Sequence, residues 1–318
     1  MAIIGKDIIK ARQLLQAGEL VAIPTETVYG LAGNALQPAS VTKIFTVKNR
    51  PSFDPLIVHV HSPEKASEWV TEIPEAAKQL MDRFWPGPLT LLLKKNKQIP
   101  DLVTAGMDTV GIRCPNHPLT LSLLAELDFP LAAPSANPFG YVSPTTPAHV
   151  NEQLGAKIQY ILDGGNCEVG IESTVLGFEK GKPIIHRFGG LSQEKIESII
   201  GKVSSKIQST SNPKSPGQLI SHYAPAKTVI LGKLKELIET YDPRVSGILA
   251  FQHAIPAVNS KHQFILSPGG NLEEAAQNLF SALRELDKMK IELILAEEVP
   301  DVGLGKAIND RLRRAAKH

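Results

Sequence analysis

The chain has 318 residues, 42% of them hydrophobic and 21% charged, which suits a soluble globular protein of two domains at about 150 residues each. Its net charge of +2, from 34 basic and 32 acidic side chains, argues against the broad basic field of a protein that grips long nucleic acid. Cys114 and Cys167 belong to no CxxC or Cys/His array, so neither a disulfide framework nor a zinc site is expected, and a reducing, cytoplasmic setting fits. Neither a signal-peptide core nor an apolar run near the ~18 residues of a membrane span is present.

Asp7 is expected to cap a helix in which Ile8, Ala11 and Leu15 fall at helical spacing and which Gly18 closes. Leu20-Val21-Ala22-Ile23 reads as a short buried strand, stopped by Pro24 because proline cannot donate to a sheet ladder. The turn that follows, Thr25-Glu26-Thr27-Val28-Tyr29-Gly30, crowds two hydroxyls, a carboxylate and a phenol together. That density reads either as chemistry or as capping of a strand-to-helix turn. Ser40 is predicted to cap a second helix with Val41, Ile44 and Phe45 on one face. Its end, Lys48-Asn49-Arg50-Pro51, carries two cations that either answer the helix dipole or await an anion. Pro51 and Pro55 bracket a stiff loop holding Asp54, and residues 56 to 61 form a strand. Leu56, Val58 and Val60 take one face of it, so His59 points away from the main apolar row.

Pro74 is placed as the first residue of a helix carrying Ala77, Leu80, Met81 and Phe84, and Trp85-Pro86-Gly87-Pro88 ends it. Strands follow at 89 to 93 and 109 to 113, the second with Thr109, Gly111 and Arg113 on one face. After a helix at 117 to 127, the small-residue strand 130 to 133 runs into Pro134-Ser135-Ala136-Asn137, where a ligand can approach the backbone. Ser143 lies in a loop, a short helix is expected at 147 to 154, and Ser173 begins a strand. A strand at 183 to 187 ends at Arg187, and a helix covers 192 to 200. From Lys202 to Gln218 the composition turns to Ser, Lys, Thr, Asn and Pro, which reads as a linker. Beyond it, strands at 228 to 231, 246 to 251, 263 to 266 and 293 to 296 alternate with helices, the long one opening on a capping-box-like Asn271 and Glu274. Such alternation predicts a small open α/β sheet.

The chain contains no GxxxxGK[ST] phosphate loop and no GxGxxG turn. What remains is a set of hydroxyls and cations at predicted strand and helix ends, a set that suits anions, since arginine forks match phosphate oxygens.

The segments PTETVYGL (24–31), KNRP (48–51), PLIVHV (55–60), WPGPLT (85–90), DTVGIR (108–113), APSAN (133–137) and GIESTV (170–175) strongly resemble the YrdC-like threonylcarbamoyl-AMP synthases. SPG (215–217) and HYAP (222–225) look like the interdomain linker of the long form of that family, and GLGKAINDR (303–311) is similar to its final motif. The resemblance implies an α/β catalytic domain over 4–201, built on a twisted open mixed sheet with a concave cavity. It further implies a linker over 202–226 that reaches the active site and a smaller Rossmann-like domain over 227–318. The reaction it implies joins L-threonine, bicarbonate and ATP to give threonylcarbamoyl-adenylate and pyrophosphate, the first step of threonylcarbamoyladenosine formation in tRNAs reading codons that begin with A. A separate enzyme would meet the tRNA.

Matched residue by residue, the family's threonine positions fall on Thr27, His59, Arg113, Ala133 and Ser173, with Arg113 facing the amino acid carboxylate. The ATP positions fall on Arg50, Asp54, Thr109, Ser135, Asn137, Ser143, Arg187 and Tyr223, and Lys48 and Arg50 would act in catalysis by spreading triphosphate charge. Tyr223 would bring a linker that folds over the nucleotide cavity. No tightly bound cofactor or metal ligand set is implied, Mg²⁺ arriving with ATP. Phe188 stands where the family has proline and Gln218 where it has methionine, which bears on Arg187 and on the linker. A carbamoyl-transfer domain and a non-catalytic RNA-binding module stay as alternatives, and oligomeric state is left open.

Overall fold

The computed structural model describes residues 1–207 and 223–316. Short apolar runs in the first two hundred residues become strands β1 (Ile3–Gly5), β2 (Val21–Ile23), β3 (Gly30–Asn34), β4 (Ile57–His59), β5 (Leu89–Lys94), β6 (Thr109–Arg113), β7 (Leu131–Ala132), β8 (Tyr160–Leu162), β9 (Thr174–Glu179), β10 (Lys182–Arg187) and β11 (Ser204–Ser205). They join one open mixed sheet in the order β1-β8-β2-β3-β7-β4-β6-β5-β9-β10-β11. One face is packed throughout: Leu31, Val58, Leu91, Ile112, Leu176 and Ile185 meet Ile44 and Phe45 of helix Pro38–Lys48, Leu80 and Met81 of Glu75–Phe84, and Ile196 of Gln193–Ile200. The opposite face is covered at one end only, where Ala11 and Leu15 of helix Ile8–Gln16 and Leu123 and Leu124 of Pro118–Ala125 rest on Val21, Ile23, Leu131 and Leu162.

Strand register shows what happens where that cover stops. His59 pairs across from Leu131 and from Arg113, and Ile57 from Gly111. Side chains directly opposite share a face, so Ile57, His59 and Arg113 continue the Leu131 face beyond its helices. This is the polar side of β4 expected from the alternation, although the strand itself is shorter than 56 to 61.

The second domain forms β12 (Thr228–Leu231), β13 (Ser246–Ala250), β14 (Gln263–Ile265) and β15 (Leu293–Ala296), all parallel in the order β12-β15-β13-β14. Parallel neighbours need crossovers. Helix Leu234–Thr240 covers Ile248, Ala250 and Leu295 on one face, while Leu272–Lys288 and Gly305–Ala315 cover Val229, Leu249 and Ile294 on the other. The latter core runs on into Val28, Val142 and Ile171 of the first domain.

Several local expectations are corrected. Ser40 lies inside its helix, which starts at Pro38 after Gln37; its hydroxyl instead accepts the Asn34 N–H at 3.1 Å, because Pro38 can open a helix without an N–H to satisfy. Pro74 is the cap and Glu75 the first helical residue. The helix expected over 117 to 127 is Pro118–Ala125. Asn271 caps Glu274 as expected, but the Glu274 carboxylate takes the Ser267 hydroxyl rather than closing the box. Ser204 and Ser205, at the start of the polar stretch read as linker, pair with Ile184 and Ile185 as an edge strand. Ser215 to Gly217, Gln218 and His222 lie outside the described residues.

Candidate functional site

Thr25 organises the turn after β2. Its hydroxyl donates to the Val28 carbonyl at 2.7 Å and accepts from the Thr27 and Val28 N–H groups, a side-chain turn that leaves Thr27 buried with its own hydroxyl 2.8 Å from that of Thr25. Gly30 then passes close to Ala133: a Cβ there would meet the Ala133 methyl at 3.2 Å. The turn, the face of β4 and β6 that carries Ile57, His59 and Arg113, and the 133–135 loop enclose a pocket whose wall is completed by Arg50, Glu172, Ser173, Arg187 and Tyr223. Its free space is about 50 Å³. That is room for a small polar group.

The floor is polar and incompletely paired. Arg113 Nε donates to the Gly87 carbonyl at 3.3 Å, and its Nη2 stands 2.7 Å from a Glu26 carboxylate oxygen but out of line for a hydrogen bond. The guanidinium is therefore charge-balanced and keeps donors to offer. His59, 3% exposed, has no partner for Nδ1, and burial, helped by the neighbouring Arg113 charge, pushes its imidazole down to about 3. It is a neutral ring at physiological pH.

Around the rim, cations gather. Arg50 Nη2 lies 2.9 Å from Asp54 and also bonds the Pro55 carbonyl, so the loop between the two prolines is folded onto its own arginine. Burial lowers the Arg50 and Arg187 guanidinium pKa values and lowers that of Lys48 strongly; at Lys48 the Arg50 charge adds to the effect. Burial pushes the Asp54 carboxyl up while Arg50 and Lys48 pull it back. Arg187 is held by two bonds to the Ser173 carbonyl, at 3.1 and 2.9 Å, and one to its hydroxyl, which also meets Thr90 at 2.7 Å. Among the described residues, the carboxylates beside Lys48, Arg50 and Arg113 are Asp54 and Glu26, while Glu172 is engaged by Ser143 at 2.5 Å and Arg311 at 3.1 Å. Burying positive charge is costly unless it is paired. An anion relieves it.

Of the residues expected from sequence, Thr27, His59, Arg113, Ala133 and Ser173 come together on the pocket wall, as do Arg50, Ser135, Arg187 and Tyr223. Others stand behind it. The Lys48 ammonium donates to the Ser135 carbonyl at 2.5 Å and to that of Asn137, and the Asn137 amide holds the Pro138 and Tyr141 carbonyls, so both shape the loop that carries Ser135. Asp54 and Ser143 act through Arg50 and Glu172. Thr109 alone of the set lies apart, lining a separate hollow with Pro55 and Leu56. Sequence reading overlooked Glu172, whose signal was a carboxylate beside Ser173 in the GIESTV segment, and Thr25 and Glu26, which were noted without a role. Among the described residues no group of three or more His, Cys, Asp and Glu side chains is arranged to hold a metal.

The Sua5/YciO/YrdC family model, described as "Telomere recombination", matches residues 13–189, and the "Threonylcarbamoyl-AMP synthase, C-terminal domain" model matches 191–317. The chain belongs to the Sua5/YciO/YrdC family. Among Sua5-type relatives, a threonylcarbamoyl-AMP synthase of Pyrococcus abyssi is 41% identical over 96% of this chain and 93% of its own length. That of Bacillus subtilis is 42% identical over 97% and 92%. The crystal structure of P. abyssi Sua5 complexed with L-threonine superposes with a TM-score of 0.92 at 40% identity, covering 99% of this chain and 97% of that one. The two-domain α/β architecture expected from the sequence is therefore that of Sua5 proteins.

Proposed function

We propose that this chain is an L-threonylcarbamoyladenylate synthase, condensing L-threonine, bicarbonate and ATP with release of pyrophosphate. The observation that carries the reading is the gathering of Arg50, Arg113 and Arg187 around one small pocket with a polar floor: a setting that suits an anion next to an amino acid. The names of the Sua5-type relatives and the threonine complex of one of them support it.

In this reading Arg113 takes the threonine carboxylate, with Thr27, His59, Ala133 and Ser173 around the remainder, and Glu26 keeps the guanidinium aligned in between. The unprotonated threonine amine attacks the carbon of bicarbonate with loss of water, or of carbon dioxide with loss of the amine proton, to give the carbamate. A carbamate oxygen then attacks the α-phosphate, forming the new P–O bond as the bond to departing pyrophosphate breaks. No covalent protein intermediate is needed; positioning and charge stabilisation supply the effect. Arg50 and Arg187 face the phosphates, and Lys48 and Asn137 fix the loop that presents Ser135. Tyr223 stands on the nucleotide side, with Asp54, Ser143 and Thr109 as the family's further ATP positions. Since each nearby carboxylate faces an arginine, a magnesium ion would come with the ATP phosphates and neutralise charge there. The adenylate passes to a separate tRNA-modifying enzyme in the cytoplasm, so tRNA contact is indirect. Catalysis belongs to residues 4–201, linked through 202–226 to the domain at 227–318.

The test is pyrophosphate release from ATP with threonine and bicarbonate each omitted in turn: loss of turnover in both omissions is expected. Turnover of carbamoyl phosphate instead, or salt-sensitive tRNA binding without threonine-dependent turnover, would replace the reading.

A further inference from the structure

The second domain reaches into the pocket wall with two buried arginines. Arg311, in helix Gly305–Ala315, has a side chain with no exposure. Its Nε donates to Glu172 at 3.1 Å, its Nη1 to the Phe188 carbonyl at 2.6 Å, and its guanidinium lies 5.2 Å from the centre of the Tyr223 ring, which also stacks on Phe280 at 5.6 Å. Glu172 and Tyr223 line the pocket, and Phe188 directly follows Arg187. Arg284, in helix Leu272–Lys288, is 1% exposed. It donates to the Ser143 carbonyl at 3.2 Å, to that of Val142 and to Gln153, and lies against the Tyr141 ring. Ser143 is thus clasped twice, its carbonyl by Arg284 and its hydroxyl by the Glu172 that Arg311 holds.

Ordinary domain docking does not require this. Exposed pairs such as Lys288–Glu152, at 2.9 Å, join the same domains without burying a charge. A buried guanidinium is expensive to desolvate, and both of these end on the loops that carry nucleotide-side residues.

Resting on the activity proposed above, we infer that Arg311 and Arg284 are positioning residues through which the second domain fixes the nucleotide side of the pocket, leaving the threonine floor to the first domain's own sheet. The distinction is spatial: Thr27, His59 and Arg113 hang on β4, β6 and the turn after β2, whereas Glu172, Ser143 and the Arg187–Phe188 corner are held from outside.

The experiment uses the full chain and compares Arg311→Met, Arg311→Lys, Arg284→Met and, as a control, Lys288→Ala. Calorimetric affinities for threonine and ATP, kcat and KM for ATP, and Tm are measured for each. Arg311→Met is expected to lower kcat/KM for ATP by about a hundredfold, the scale of a small misplacement of reacting groups, while threonine affinity falls far less; Arg284→Met moves in the same direction. Arg311→Lys, which keeps the charge but not the fork, falls between Arg311→Met and the unaltered chain, and Lys288→Ala keeps full turnover. Equal loss of both ligands, or a lowered Tm with normal ATP kinetics, overturns the inference. If Arg311→Met fails to fold, Arg311→Lys decides: normal kinetics for ATP in that variant overturns it as well. Absence of threonine-dependent turnover in the unaltered chain would strike the activity itself, a separate outcome.

Discussion

His59 is a histidine whose environment has removed its usual titration. Its folded value, about 3, lies below the ordinary 6.5, so on acidification the unfolded chain takes up a proton that the folded chain refuses. Stability from this group is complete above 6.5 and is lost progressively as pH falls toward 3. His59→Gln should therefore lose less Tm than the unaltered protein between about pH 7 and about pH 5, and a gap that stays constant with pH would refute the assignment. Arg113→Ala should cost threonine binding more than ATP binding, by ~3–5 kcal/mol, since it leaves the threonine carboxylate without its counter-charge; calorimetry of both ligands decides, and equal weakening counts against the carboxylate role. At this scale the sequence was readable where period-two alternation applied, as at Ile57 and His59. For Lys48 it offered a helix dipole or a triphosphate and missed the actual partners, carbonyls 87 and 89 residues away; nothing in the residues 48 to 51 separates those readings from a lysine seated in a distant loop.

Elements show the same division. Apolar runs located most strands of the two sheets, but β1 and β3 were not expected, and β11 escaped notice because Ser204 and Ser205 pair through backbone alone and their composition reads as loop. The hairpin end at Gly189 packs against the start of β9 so closely that a Cβ would lie 2.3 Å from the Glu172 carbonyl oxygen and 2.4 Å from the Thr174 nitrogen. Gly189→Ala should push this corner off the pocket, lowering Tm and ATP-dependent turnover together; an unchanged melting curve would show that the corner gives way freely. Lys48→Ala should slow adenylate formation by about a hundredfold, the scale found when one charge-stabilising donor is lost. Here the effect would come through the Ser135 loop, and normal turnover with lowered Tm would reduce Lys48 to a structural strut.

For the whole molecule, the composition suggested two domains and the alternation of strands and helices gave the second its class, but the manner of their union was hidden. Arg284 and Arg311 sit in amphipathic helices, where a basic side chain ordinarily reads as solvent-facing. Gly170 marks the union too: it has φ +76° and a Cβ there would come within 2.4 Å of the Gln277 backbone. Gly170→Ala should wedge the domains apart, seen as faster proteolysis between them and weaker ATP binding; unaltered proteolysis would show that the interface absorbs a methyl group.

Arg311 also has a position in time. The groups it grips, Glu172 and Phe188, belong to the middle of the chain, while Arg311 itself lies in the last helix, Gly305–Ala315. The N-terminal part of a chain emerges from the ribosome first, so Ser143, which donates to the Glu172 carboxylate, is synthesised well before Arg311. Synthesis must run almost to its end before the nucleotide wall is braced. A chain released early would lack that brace.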